Sequence, residues 1–166
     1  MDIVQAKPLD IVEAVFILEK AIQNFINSNL QHWISFLPNR QILSDNIDNK
    51  ELYLAKDKGV SKGFMVLKND MPEDYADVKW KNTSDKSLSV YYLVAHPDWM
   101  QTDIFNQLLT FAENYAKENG FTSIKVDAFS DNESKMNALG DEGFENIGEF
   151  QKALQKVPHF GFEKPV

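Results

Sequence analysis

The chain has 166 residues, 43 % of them apolar, which suits one globular domain with a real core and excludes a disordered chain. Lys and Arg number 17 against 25 Asp and Glu, and the net charge of −8 argues against nucleic acid or an anionic membrane as the main partner. With no cysteine, disulfides, thiolate catalysis and zinc–sulfur sites are excluded; no signal peptide and no membrane-spanning apolar run is read, so the expected location is cytoplasmic.

Ile3 to Ala6 reads as a short strand, ended near Pro8. Asp10 then stands where a helix N-cap belongs, ahead of Val15, Leu18, Ile22, Phe25 and Ile26 at helical spacing. Pro38-Asn39 breaks the chain, and Ile42, Leu43 and Ile47 mark a short second helix to about Asp48. Glu51–Lys56 and Lys62–Leu67 are strands joined by the Asp57-Lys-Gly-Val turn, a hairpin. Residues 69–86 are polar and irregular, a long loop of the kind that tends to carry function. Leu88–Ala95 is an apolar strand. Ile104, Leu108, Phe111, Ala112 and Tyr115 form one face of a helix that stops at Asn119-Gly120. Ser123–Phe129 is a further strand and Asn132 to about Asp141 a further helix. Gly143-Phe144 opens a strand reaching Phe150, and Pro158–Lys164 adds a last one. Helices follow strands in the second half, so the class is α/β or α+β with a mixed sheet, in one domain spanning residues 1–166.

The segments Leu93-Val-Ala-His-Pro97, Ile104 with Leu108-Leu109, Ala116-Lys-Glu-Asn-Gly120, Ile124-Lys-Val-Asp127, and Asn132 ahead of Gly143-Phe144 follow one another in a recognisable order. Together they make the chain resemble the GNAT superfamily of acyl-CoA-dependent N-acetyltransferases over nearly its whole length. The resemblance implies a mixed, twisted sheet flanked by helices and opening as a V between the strands at Leu88–Ala95 and Ser123–Ala128. It also implies that backbone around Leu93, Val94 and Ala95 meets the thioester and pantetheine of acetyl-CoA. The turn after the proline would then meet the pyrophosphate at a helix N-terminus.

In the family that turn reads approximately Arg-Gly-x-Gly-x-Gly/Ala. Here the matching positions are Met100, Gln101, Thr102, Asp103, Ile104 and Phe105. No glycine occurs between Gly63 and Gly120 and no Lys or Arg between Lys86 and Lys117, so the turn lacks both the cation and the freely approachable backbone of its relatives. Asp103 is read as the helix N-cap, its carboxylate taking amides that a phosphate would use. The tyrosine that protonates the leaving thiolate in many relatives falls at Leu139, which has no proton to give. Gly140 beside it suggests a loosened or shortened helix.

Other residues carry a functional and a structural reading side by side. Tyr91 and Tyr92 are the catalytic candidates: either orients an amine or relays a proton, or else packs as a strand aromatic. Trp33, with His32 beside it, walls a substrate pocket together with Tyr92, or fills the core. Asn132 meets the pantetheine arm, as the resemblance implies, or caps its helix. His96 has a turn role, His159 is placed nowhere by the sequence, and Glu51, Asp127 and Glu149 are carboxylates near strand ends without a partner at diagnostic spacing. No metal-ligand set, nucleophile triad or Walker loop is present.

The function implied is acyl transfer from acetyl-CoA to a primary amine of a small molecule, by direct attack in a ternary complex, without a metal. The rival is a catalytically silent GNAT relative that binds a small molecule or a protein; a homodimer is left open. The excess of Asp and Glu in residues 69–86 points to a cationic acceptor.

Overall fold

The structure is a computed structural model that describes residues 1–152 and 156–166. Seven strands form a mixed sheet in the order β1-β2-β3-β4-β5-β7-β6: β1 Asp2–Gln5, β2 Leu52–Asp57, β3 Val60–Lys68, β4 Ser87–Ala95, β5 Ser123–Phe129, β6 Glu145–Phe150 and β7 His159–Pro165. Four α-helices accompany them: α1 Ile11–Asn27, α2 Arg40–Asp48, α3 Ile104–Glu118 and α4 Glu133–Asp141. Packing divides the chain into two compact units, residues 1–67 with 92–108 and residues 68–91 with 109–166.

In the first unit β1, β2 and β3 are antiparallel neighbours, the hairpin turning through Lys58 and Gly59 at positive φ. The buried face of α1 is Ala14, Ile17, Leu18, Ala21 and Phe25. It is rotated from the expected stripe: Val15 and Ile22 lie at its edge and Ile26 is exposed. The alanines allow close approach, and a pattern built on large apolar residues overlooks them. Asp10 does stand at the N-cap of α1, but its side chain caps no helix amide. One oxygen takes the Lys7 amide at 2.8 Å and the other faces Lys56 Nζ at 3.3 Å. Asn39 is the cap that forms on α2, accepting from the Ile42 amide at 2.9 Å. Gly63 on β3 is needed for a close approach: a Cβ there would lie 2.8 Å from Ile104 Cδ1 and 2.9 Å from the Val94 carbonyl. The first residue of α3 thus seats against β3 and the end of β4.

In the second unit β4 and β5 run parallel, Ser87–Ser89 in register with Ser123–Lys125. The C-terminal strand β7 inserts antiparallel between β5 and β6, pairing Asp127 with Gly161 and Phe129 with His159. Lys164 of β7 bonds Glu113 of α3 and the Glu142 carbonyl at the end of α4, so these helices lie on one face of the strand. Alternation turns His159, Gly161 and Glu163 to the other face. There the 69–86 segment covers the strands, with a short 3-10 helix, Glu73–Asp77, that its polarity did not signal. Gly161 admits that cover: a Cβ would stand 3.0 Å from both Trp80 and Val78 side chains. Helix α4 continues through Gly140 to Asp141, so the glycine does not shorten it. Two turns of the second unit use glycine at positive φ, Gly120 after α3 and Gly143 after α4.

Candidate active site

The first unit carries the strand end and turn that the sequence assigns to acetyl-CoA. Leu93, Val94 and Ala95 are buried at the end of β4, and the chain leaves the strand with the His96 amide donating to the Lys62 carbonyl at 2.8 Å. His96 Nδ1 accepts from the Asp98 amide at 3.2 Å, and the ring stacks 6.0 Å from Phe16; this is a turn role. Pro97–Trp99 form a 3-10 turn. Within it and beyond, the Met100 amide bonds the Pro97 carbonyl and the Thr102 amide the Trp99 carbonyl, so two of the turn's donors are engaged inside the turn.

Asp103 stands at the N-cap position of α3, where the sequence puts it. Its side chain is exposed, and it starts α3 through its carbonyl, which accepts the Gln107 amide at 3.0 Å. The group near the first helical amide is the Thr102 hydroxyl, a long 3.4 Å from the Ile104 nitrogen. Thr102 is held there by a 2.6 Å bond from its own hydroxyl to the Trp99 carbonyl. Ile104 and Phe105 are buried, so only their backbone is available to a ligand. Met100 is half-buried, its sulfur 3.7 Å from Asn24 Nδ2 of α1.

A cation does stand at this turn, supplied from elsewhere in the sequence: Lys62 Nζ of β3 lies 4.9 Å from the centre of the Trp99 ring. Tyr92 is half-buried, and burial raises the pKa of its phenol. Trp33 is half-buried and meets Phe25 edge-on at 5.2 Å, with His32 6.0 Å away.

The second unit holds Tyr91 and Asn132. The Tyr91 hydroxyl donates to Asp70 at 3.0 Å, and Lys68 lies over its ring at 4.7 Å. Asn132 Oδ1 caps α4, accepting from the Lys135 amide at 3.1 Å. Leu139 is fully buried.

The same unit contains a polar cluster that the sequence leaves unassembled. Asp127 Oδ1 accepts from the Tyr75 hydroxyl at 2.7 Å and Oδ2 meets His159 Nδ1 at 3.0 Å, while Lys152 Nζ reaches both oxygens at 3.2 and 3.3 Å. Burial alone would raise the Asp127 pKa. The hydrogen bond from His159, the charges of Lys152 and Lys135 and the Tyr75 hydroxyl outweigh it and hold the carboxyl well below its usual range. An ionised carboxylate requires the proton on Nδ1, so Asp127 fixes the His159 tautomer. Burial and the Asp127 charge push the Tyr75 phenol well up, so it stays a donor. His159 is only 1 % exposed, enclosed by Phe129 at 4.1 Å and Phe150 at 5.7 Å. The signal available in the sequence was the alternation of Lys125 and Asp127 within an otherwise apolar strand, since buried charges require partners.

A family model described as an acetyltransferase (GNAT) domain matches residues 47–160. The chain belongs to the GNAT acetyltransferase family. No curated protein matches the sequence. Solved GNAT structures resemble it at low identity. A GNAT-family acetyltransferase of Streptococcus agalactiae is 16 % identical, with a TM-score of 0.80 over 99 % of this chain and 95 % of that one. The PaiA N-acetyltransferase of Thermoplasma acidophilum, solved in complex with coenzyme A, is 15 % identical with a TM-score of 0.73 over 99 % and 98 %. The ribosomal-protein-S18-alanine N-acetyltransferase of Escherichia coli is 10 % identical with a TM-score of 0.71 over 99 % and 93 %. These likenesses establish the GNAT fold. Among the described residues no group of metal-ligating side chains occurs, and no helix is long and apolar enough to cross a membrane.

Proposed function

We propose that this GNAT protein is an acetyl-CoA-dependent N-acetyltransferase acting on a primary amine of a small molecule, with residues 1–166 working as one domain. The observation that carries the reading is the order of buried strand end, turn and helix N-terminus at Leu93–Phe105 in a GNAT chain. Backbone at Leu93, Val94 and Ala95 is assigned to the thioester and pantetheine. The turn at Met100, Gln101, Thr102 and Asp103 and the backbone of Ile104 and Phe105 are assigned to the phosphates. The Ile104 amide, 3.4 Å from the Thr102 hydroxyl, suits an anion, because a helix N-terminus attracts negative charge. Lys62 is the cation assigned to assist it. Asn132, whose Oδ1 is occupied as a cap, is assigned to the pantetheine arm through its amide group.

Direct attack of the amine on the thioester carbonyl forms the N–C bond and breaks the C–S bond. The proton lost by the amine must leave and the thiolate must gain one. Of the two candidate tyrosines, Tyr92 suits protonation of the thiolate, because burial keeps its phenol protonated and it adjoins Leu93 in the same unit. Tyr91 remains assigned to amine orientation. Trp33 and Tyr92 are assigned to the acceptor. The fall of Leu139 at the family's tyrosine position is what favours the rival, a silent relative that binds without reacting.

The test is release of free CoA thiol from acetyl-CoA in the presence of a panel of amines, with product mass determined. Protein-dependent thiol release matched by an acetylated amine is expected, with Tyr92→Phe reducing the rate about 10²-fold or more. Acetyl-CoA binding without turnover across the panel favours the silent relative. Turnover unaffected by Tyr92→Phe sinks the assignment of the proton donor.

A further inference from the structure

The second unit contains a cavity of about 510 Å³ beneath the 69–86 segment. Met71, Tyr75, Val78, Trp80 and Asn82 are among its walls, and Lys125 of β5 lies at its floor. Most of that lining is apolar or aromatic, the usual make-up of a small-molecule pocket with few polar anchors.

Lys125 is an unusual anchor. Its side chain is 1 % exposed. The ammonium donates one short bond, to the Asn82 carbonyl at 2.6 Å. Among the described residues the other groups around it are soft or distant: Met71 Sδ at 3.7 Å, Glu163 Oε2 at 3.9 Å and the Trp80 ring centre at 5.3 Å. An ammonium has three donors, and one short acceptor leaves it poorly compensated in a buried setting. Burial pulls its pKa down, against the raising effect of Glu163. Glu163, which does not line the cavity, offsets only part of the ammonium's charge: at 3.9 Å it makes no hydrogen bond to Lys125, and its other oxygen takes the Asn82 amide at 3.1 Å.

The charge of the cavity runs opposite to the charge of the loop. The charged side chains lining it are Lys79, Lys125 and Glu73, two cations against one anion, in a chain of net charge −8. The loop's remaining acids do not line it, and Asp70 is turned to the Tyr91 hydroxyl. A cationic guest would meet a buried ammonium in a low-dielectric floor, which is repulsive. A single ammonium, without a guanidinium fork or a run of backbone amides, suits one carboxylate better than a multiply charged phosphate.

We propose that this cavity binds a small apolar carboxylate, an aryl- or alkyl-carboxylic acid, whose carboxylate meets Lys125 Nζ and whose apolar part lies against Trp80 and Met71. The site stands apart from the acyl-transfer reading and is unaffected if that reading fails.

Three isosteric probes separate its parts: 3-phenylpropionate, 3-phenylpropan-1-ol and 3-phenylpropan-1-amine, titrated by calorimetry into the full chain. The carboxylate is expected to bind at least about tenfold more tightly than either analogue, the difference one charge-assisted hydrogen bond supplies. Lys125→Met removes the ammonium and should abolish that preference. Ala76→Trp, at an exposed position lining the cavity, leaves Lys125 in place and fills the mouth; it should weaken all three probes. If Lys125→Met fails to fold, Ala76→Trp and the order of the three probes decide. Absence of carboxylate binding up to its solubility limit overturns the proposal. So does equal affinity for the three probes, or a carboxylate affinity unchanged in Ala76→Trp.

Discussion

Two oxygens of Asp127 serve three side chains, and the arrangement gives this carboxylate a consequence for stability. Tyr75, His159 and Lys152 all direct hydrogen-bond donors at it in a site that is largely closed to water. Removing the charge leaves Lys152 and Lys135 without their anion, and breaking a buried pair in this way costs about 3 kcal/mol or more. Asp127→Asn is therefore expected to lower the urea midpoint at pH 7 by that equivalent. The sign with pH follows from the depressed folded pKa: the contribution is complete above the unfolded value of 3.8 and is lost as pH falls from there through the folded value. The gap between wild type and Asp127→Asn should narrow below about pH 4. A gap that stays constant from pH 7 to pH 3 would show that the carboxylate is not the stabilising charge. Little of this was legible from the sequence. Asp127 and His159 stand out as polar residues, but their pairing depends on β7 entering the sheet beside β5, which no local pattern encodes.

Asp103 is the opposite case, a helix start legible from the sequence. Asp is a good N-cap by propensity, and the position is right. Thr102 adds a local bond to Trp99 that brings its hydroxyl to the first helical amide, and Asp103 is exposed at the N-cap position. Thr102→Val should therefore destabilise the fold by about 0.5–1.5 kcal/mol, the usual net worth of one hydrogen bond. Asp103→Ala should cost about 0.5–2 kcal/mol, the usual worth of an N-cap side chain. Denaturant titrations of the two variants check both losses, and an Asp103→Ala variant as stable as the wild type would show that its side chain does not cap α3.

The strands and helices were largely legible, because apolar alternation and helical spacing survive in this sequence at nearly every element. Their contacts were less so. Gly63 reads as an ordinary strand glycine, yet it is where Ile104 of α3 and the Val94 carbonyl approach within 3 Å of a missing Cβ. Both neighbours are buried, so the strain has no flexible outlet. Gly63→Ala is expected to cost about 1–3 kcal/mol by overpacking and to shift the start of α3. Since that start carries the proposed phosphate-facing turn, acetyl-CoA affinity should fall with stability. An alanine variant with unchanged midpoint would contradict the packing. At the turn itself the three-residue change Met100→Arg, Gln101→Gly and Asp103→Gly restores a cation and two accessible amides. It should strengthen acetyl-CoA binding while lowering the melting temperature of the free protein, through the loss of the Asp103 cap and the added glycine entropy. Unchanged affinity with lower stability would argue that the turn is not a phosphate site here.

At the scale of the molecule, the mixed sheet and the family were both readable from the order of short motifs, each weak alone and specific in sequence. Residues 69–86 were not readable in the same way. Their composition suggested a negative surface for a cationic guest, whereas folding puts a lysine beneath them and only one of their acids on the cavity wall. Charge counted along a loop and charge facing a cavity are different quantities, because side-chain direction is set by packing. The chain's net charge of −8, and a turn with no cation of its own, make acetyl-CoA binding the claim most exposed to refutation. The decisive measurement is a calorimetric titration of the protein with acetyl-CoA and with its dephospho analogue at low and moderate salt. Saturable binding of acetyl-CoA is predicted, with the analogue lacking the 3′-phosphate within a few-fold of it and a thermal stabilisation of about 2.7 kcal/mol at 100 times the Kd. No binding by either, or binding that depends strongly on the 3′-phosphate, would contradict the account.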